Sequence, residues 1–178
     1  MIRAPFSSLL DDHRGTALIE FAILLPVLLI LFLGVYQLSD AIMAKRKTTI
    51  MTRAAGDMTS QYRGLTTGEL DSLLDASTKI LMPYSAASAK LRVTQITVES
   101  SGTVFRVDWS RSRNASALAT GRYYATAIPA AYRQPNTVYI YTQSAYTYDN
   151  ALSSFFGPIT FSDDLWLLPR RSSTITLS

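Results

Sequence analysis

The chain has 178 residues, of which 48% are hydrophobic and 17% charged, with 17 Lys and Arg, 13 Asp and Glu, one His and no Cys. The length accommodates one compact domain and an additional segment. Without cysteine, disulfides, thiolate metal sites and cysteine nucleophiles are excluded, and the lone His13 excludes a multi-histidine metal site. The net charge of +4 accompanies no recognisable nucleic-acid-binding motif, so we expect no nucleic-acid partner, no metal and no cofactor.

The hydrophobicity is concentrated in one run near the N-terminus. Residues 21–39 read FAILLPVLLILFLGVYQLS and contain no charged residue. A helix of this length, rising about 1.5 Å per residue, covers about 28 Å, which is close to the ~30 Å hydrocarbon core of a bilayer. The sequence therefore predicts a transmembrane helix over residues 16–39, attached to a water-soluble domain.

An acidic residue stands directly before this apolar run, in the sequence Arg14-Gly15-Thr16-Ala17-Leu18-Ile19-Glu20-Phe21. Burying a carboxylate in a membrane costs about 2.5–3.5 kcal/mol at the helix centre and less near the interface. Glu20 either marks the aqueous end of the helix or has a partner in the membrane.

The segment around Glu20 resembles the type IV prepilin cleavage site, in which the peptidase cuts after the glycine. The longer run from Arg14 to Leu38, with its proline at Pro26 and its glycine at Gly34, is similar to TadE/TadF pseudopilins of the tight-adherence (Flp, type IVc) pilus system. This resemblance covers about residues 14–55. A second, shorter likeness is the Pro-Arg segment within residues 167–172.

The resemblance implies a non-enzymatic, minor pseudopilin-like structural subunit in pilus assembly. It implies cleavage between Gly15 and Thr16, so that residues 1–15 are a leader, and an assembly role for Glu20 and Phe21. The new amino group on Thr16 would lie about one helical turn from Glu20 and neutralise it, within one subunit or between two. The implied partners are prepilin peptidase, other pseudopilins, the major Flp pilin, the inner-membrane assembly platform and the lipid bilayer.

The implied location is the bacterial inner membrane, crossed once, with the C-terminal domain extracytoplasmic. The protein either remains there or is incorporated into the pilus. The flanking charges favour the opposite orientation, because the positive-inside tendency would keep the more basic side in the cytoplasm. The basic residues are Arg3 and Arg14 before the run and Lys45, Arg46, Lys47 and Arg53 after it. Two alternatives remain: secretory cleavage after Ala41, and an unprocessed signal-anchored binding or adhesion protein.

A basic trio follows the apolar run and consists of Lys45, Arg46 and Lys47. It begins about 9 Å beyond Ser39 along a continuing helix, so we expect it at the lipid headgroups. Pro26 predicts a kink, unless neighbouring groups accommodate it without consequence. The helix is expected to continue over residues 40–64 and to end at Gly64. Its packing stripe is predicted at Ile50 or Met51, Ala54, Met58 and Tyr62.

A second helix is predicted after Thr66, which has capping-box spacing to Glu69, and it should end before Pro83. Its buried face is expected to contain Leu70, Leu73, Leu74 and Leu81. Asp71 and Asp75 lie four residues apart on this helix, and they are interpreted as a solvated face rather than an acid–base pair.

From residue 90 onward the pattern alternates with a period of two, which predicts strands. They are residues 91–98 and 104–109, joined by a turn at 100–102, then 137–148, and weaker strands at 160–162 and 173–177. Residues 115–131 are expected to form a short helix or an inserted loop, and Asp163-Asp164 a turn or helix start. Dense tyrosines are expected to belong to the sheet. The predicted class is α+β: a long N-terminal transmembrane helix extending into a soluble domain, 65–178, with a second helix packed on a small antiparallel sheet.

Overall fold

The computed structural model describes residues 14–124, 128–150 and 152–178. The chain divides into two compact units, Met1–Asp40 and Ala41–Ser178. Most of the predicted leader, residues 1–13, lies outside the described residues. The mixed α+β class predicted from the sequence is confirmed, with one long apolar helix followed by a soluble part that contains a small helix and an antiparallel sheet.

The first helix, α1, runs without interruption over Arg14–Ser60, which is 47 residues. It ends four residues before Gly64, where the sequence predicted its end. The chain turns earlier because the N–H groups of Gln61 and Tyr62 donate to carbonyls only three residues back, each at 3.2 Å. The carbonyl of Ser60 then accepts a hydrogen bond from the backbone N–H of Arg170 at 2.9 Å, which closes the helix end.

In the soluble unit, α1 buries a face that consists of small and hydroxyl-bearing residues together with Met51. They recur every three or four positions: Ala41, Ala44, Thr48, Met51, Thr52, Ala55 and Thr59. The predicted stripe is confirmed at Met51, the alternative to Ile50, and at the partly buried Met58, but it is wrong for Tyr62, which is 47% exposed. Small side chains let the helix backbone approach the sheet closely, and each buried threonine hydroxyl donates to the carbonyl four residues earlier, so no hydroxyl is left unsatisfied.

The second helix, α2, covers Thr67–Thr78 and continues as a 3-10 turn over Lys79–Leu81. The predicted capping box is confirmed: Thr66 accepts from the backbone N–H of Glu69, whose carboxylate accepts from the N–H of Thr66 at 2.8 Å. The predicted leucine face is also confirmed, since these four side chains are buried: Leu70, Leu73, Leu74 and Leu81.

The described residues of the sheet region form seven strands. In chain order they are β1 Gly64–Leu65, β2 Ala89–Val98, β3 Val104–Arg113, β4 Gly121–Tyr124, β5 Val138–Tyr148, β6 Ile159–Leu167 and β7 Thr176–Leu177. Five form an antiparallel sheet in the order β4-β3-β2-β5-β6, and β1 pairs with β7 in parallel. A four-residue helix, α3, covers Ser153–Phe156 between β5 and β6.

The hairpin of β2 and β3 and the long strand β5 are confirmed, and three other predictions need correction. Asp163-Asp164 lies inside β6 rather than in a turn, because β5 pairs with both residues across the sheet. The region 115–131 contains the strand β4, whose Arg122 and Tyr123 pair with β3. The predicted strand 173–177 is reduced to the two residues of β7.

Hydrophobic clusters lie on both faces of the sheet. One includes the buried face of α1, the leucines of α2 and residues such as Trp109 and Tyr148. The other is smaller and is built around Ile96, Phe105, Val107 and Ile128. Most of the tyrosines belong to the sheet, as predicted, with Tyr139, Tyr146 and Tyr148 buried, although Tyr124 is exposed.

Candidate functional site at the start of the apolar helix

The predicted processing bond lies in the first turn of α1. The helix begins at Arg14, so Gly15 and Thr16 already have helical backbone geometry. Thr16 is exposed.

Glu20 and Phe21 follow one turn later and are both exposed. Glu20 lies four residues after Thr16, a rise of about 6 Å, so the two residues share one face of the helix. Among the residues that the structure describes, Glu20 forms no ion pair and no side-chain hydrogen bond. Its carboxylate is therefore available to a partner outside the described chain.

Pro26 lies inside α1, and the helix is continuous through it. Proline has no N–H, so the carbonyl of Ala22 lacks its usual partner within the helix. The kink expected from this residue stays a prediction.

The large apolar side chains of the apolar run are not covered by the described protein. Those from Leu18 to Leu38 are exposed, and no residue of the most apolar window is buried inside the protein. By length and composition this helix could span a membrane, and it is the one such helix within the described residues. An exposed apolar surface of this size requires lipid or another protein to cover it.

The three basic residues after the apolar run differ in their surroundings. Lys45 and Arg46 are exposed, whereas Lys47 is half-buried and its Nζ donates to the carbonyl oxygen of Ile80 at 3.4 Å. Lys45 and Arg46 are thus free of packing that would prevent the predicted headgroup contact, while Lys47 also contacts the segment that follows α2.

Ion pairs between α2 and β3 were not predicted from the sequence. Arg111 donates to both carboxylate oxygens of Asp71, at 2.7 and 2.5 Å, and Arg113 pairs with Asp75. The hydrogen bond from Arg111 lowers the pKa of the Asp71 carboxyl, and Asp71 raises the pKa of Arg111. These carboxylates remain partly exposed, so the solvated face was correctly predicted, but they connect a helix to the sheet.

A groove of about 780 Å³ lies between the end of α1 and the start of α2 and is lined in part by Met58, Tyr62, Leu73 and Arg171. Its carboxylate, Glu69, is committed to the capping box, whose hydrogen bonds from Thr66 lower the pKa of Glu69. Within the described part of the chain, no three His, Cys, Asp or Glu side chains form a group that could hold a metal ion.

Comparison with known proteins gives a match to a protein family. Residues 15–57 match the family described as TadE-like protein. No curated protein and no solved structure matches the chain. The matched range begins at Gly15 and includes Glu20, Phe21, Pro26 and the basic trio. The resemblance to TadE-like proteins stated from the sequence is therefore confirmed over this range.

Proposed function

We propose that this chain is a minor pseudopilin-like structural subunit that supports assembly of a tight-adherence type IV pilus and is processed by prepilin peptidase after Gly15. The observation that carries the proposal is the TadE-like match over residues 15–57, which falls on an exposed apolar helix introduced by Glu20. The TadE-like family is a structural component of the pilus and is not known as an enzyme.

Processing is the first step of the proposed role. The Gly15–Thr16 bond lies near the N-terminal end of the described part of α1, and Thr16 is exposed, which supports access by a peptidase. Cleavage gives Thr16 a free amino group. A positive charge at a helix N-terminus is unfavourable beside the helix dipole, and a carboxylate one turn away offsets it.

Glu20 is the residue that we assign to assembly. In an apolar environment an unpaired carboxylate is costly, whereas a charge-assisted pair with an ammonium group is much less so. A processed subunit therefore gains by placing Glu20 beside a processed N-terminus, either its own or that of a neighbour. When the neighbour supplies the amine, the pair fixes the register of two adjacent helices, and Phe21 packs beside it.

The exposed apolar helix needs one environment before assembly and another after it. Lipid covers it in the inner membrane, and the helices of other pseudopilins or the major Flp pilin cover it once the subunit joins them. The assembly platform in the same membrane is the proposed site of this transfer. In this orientation the soluble unit is extracytoplasmic, and protease added to spheroplasts should degrade it; its protection would contradict the orientation.

Mass spectrometry of the membrane-extracted protein tests the processing step. The first residue should be Thr16 in cells with active prepilin peptidase and Met1 in cells without it. A Gly15→Ala variant should keep its leader even when the peptidase is active. An intact leader on the unmodified chain in peptidase-positive cells would exclude processing and favour an unprocessed, signal-anchored binding or adhesion protein.

Substitution of Glu20 tests the assembly step. Glu20→Gln removes the charge while keeping the shape, so crosslinking to other pilus subunits and pilus output should fall. Glu20→Asp retains the carboxylate and serves as the matched control, with partial activity expected. Equal crosslinking and pilus output in all three proteins would exclude the role of this carboxylate while leaving the processing step unaffected.

A further inference from the structure

Residues 41–60 of α1 pack on the sheet, and their direction along it determines which end of the sheet lies beside Ala41, the first residue of the soluble unit. Thr52 Oγ1 and Ser144 Oγ share a hydrogen bond of 2.5 Å, and Gly56 lies against Thr142. Four helix residues rise about 6 Å and two strand residues about 6.6 Å, so these contacts describe a helix that runs antiparallel to β5. Extending the register by about 13 Å places Tyr148, the last residue of β5, level with approximately Met43.

Two connecting segments lie at this end of the sheet. One joins α2 to β2, and it contacts α1 through the hydrogen bond from Lys47 to the carbonyl of Ile80. The rings of Tyr84, in the same segment, and Tyr148 meet edge to face with centroids 6.0 Å apart. The other segment begins after β5, where Asn150 donates to the hydroxyl of Tyr148 at 2.6 Å, and continues to α3.

Both segments present an unusually exposed apolar side chain. Phe155 in α3 is 83% exposed, more than any other large apolar side chain described in the soluble unit, and Met82 is 69% exposed. The basic side chains at the same end are also exposed, namely Lys45, Arg46 and Lys79, while Asp149 is an exposed acid nearby. Exposed apolar residues within a basic surround are typical of a surface that contacts anionic lipid.

Chain connectivity supplies the position of the bilayer. The apolar run ends at Ser39, and Lys45 follows after six residues, about 9 Å of helix. We propose that this end of the soluble unit rests on the membrane surface, with Phe155 and Met82 entering the headgroup region of an anionic bilayer and Lys45, Arg46 and Lys79 binding its phosphates. The proposal requires that α1 crosses the membrane, but it does not require processing or pilus assembly.

Site-directed spin labelling of the full chain tests this contact. The sequence contains no cysteine, so each single-cysteine variant carries one label. The variants are Phe155→Cys and Met82→Cys, with Tyr124→Cys as the control. Tyr124 is 80% exposed and pairs with Val104, at the start of β3 and therefore at the opposite end of the sheet. Leu29→Cys, in the apolar run, reports whether the helix is inserted.

The labelled proteins are reconstituted into phosphatidylcholine vesicles with and without phosphatidylglycerol, and collisions with oxygen and with a water-soluble nickel complex are measured. Labels at 155 and 82 should show a several-fold higher oxygen-to-nickel ratio than the label at 124, and the ratio should fall without phosphatidylglycerol.

Equal ratios at 155, 82 and 124, with the label at 29 in hydrocarbon, would overturn the proposal. Protection from both reagents at 155 and 82 would also overturn it, because a protein would then cover this surface. A label at 29 that remains aqueous would instead contradict membrane insertion.

Discussion

Gly56 of α1 lies against Thr142 of β5 so closely that a methyl group at position 56 would stand 2.7 Å from Thr142 Oγ1. The same methyl group would come within 3.1 Å of Leu167 Cδ1. Thr142 is fully buried, and its hydroxyl has no hydrogen-bond partner among the described residues. The absence of a side chain at residue 56 therefore sets the distance between the long helix and the sheet.

We expect Gly56→Ala to destabilise the soluble unit by about 1–3 kcal/mol, since overpacking shifts a backbone or forces side chains out of their preferred rotamers. Urea unfolding of the full chain in detergent, followed by circular dichroism, measures the change. Gly68→Ala is the matched control, because a methyl group there meets nothing within 4 Å. Adding Thr142→Ala to Gly56→Ala should recover part of the loss; equal stability of the two glycine variants would contradict the close approach.

The ion pair between Asp71 and Arg111 should make stability depend on pH. Because the hydrogen bond from Arg111 lowers the pKa of Asp71 in the folded state, the stabilisation is present above the unfolded pKa of about 3.9 and disappears as pH falls through the lower folded value. We therefore expect Asp71→Asn to lower the urea midpoint of unfolding at pH 7 but not at pH values below the folded pKa of Asp71. Asp149→Asn is the control, since this exposed aspartate has no ion pair within the described chain. Equal losses at both pH values would exclude the charge interaction as the cause.

Removal of the cap on α2 should weaken the start of that helix. Thr66→Ala eliminates the hydroxyl that accepts from the N–H of Glu69, and substitutions of this kind cost about 1 kcal/mol. Hydrogen exchange should show faster exchange in the first turn of α2 than in the rest of the helix. Ser72→Ala changes a hydroxyl in the helix interior and should have an effect within about 0.5 kcal/mol. Unchanged exchange in Thr66→Ala would show that the cap is dispensable.

Ile175 fixes the segment before β7 to the sheet. Its carbonyl accepts from Trp109 Nε1 and its N–H donates to Gln95 Oε1, each at 2.8 Å, and its side chain is buried. Ile175→Ala should cost about 2–5 kcal/mol through the cavity it creates, and Ile175→Val about 0.5–1.5 kcal/mol. Ile50→Ala provides the exposed comparison. A loss from Ile175→Ala no larger than that from Ile50→Ala, in thermal unfolding, would argue against this anchoring.

Local patterns were sufficient to predict most elements. The apolar run, the capping box at Thr66 and the alternation in β2 and β5 are each contained within a few residues, so propensity and periodicity identify them. The Gly15-to-Glu20 spacing is likewise a local feature, and the processing site that it indicates stays a prediction.

Features that depend on distant residues could not be predicted in this way. Asp163-Asp164 reads as a turn until β5 is known to pair with it. The partners of Asp71 and Asp75 become visible only when β3 is placed beside α2. The packing face of α1 was predicted only in part. A sheet that approaches closely selects alanine, glycine and threonine, and the period of large apolar residues identifies Met51 but not these smaller residues.

The parallel pairing of Gly64–Leu65 with Thr176–Leu177 joins residues about 110 positions apart. The N–H of Thr67, at the start of α2, also donates to the carbonyl of Ser178 at 2.8 Å. The junction between the two helices therefore reaches its final structure only after residues 175–178 have been synthesised. A chain that stops before these residues would hold α1 and α2 without the strand pair that closes their junction.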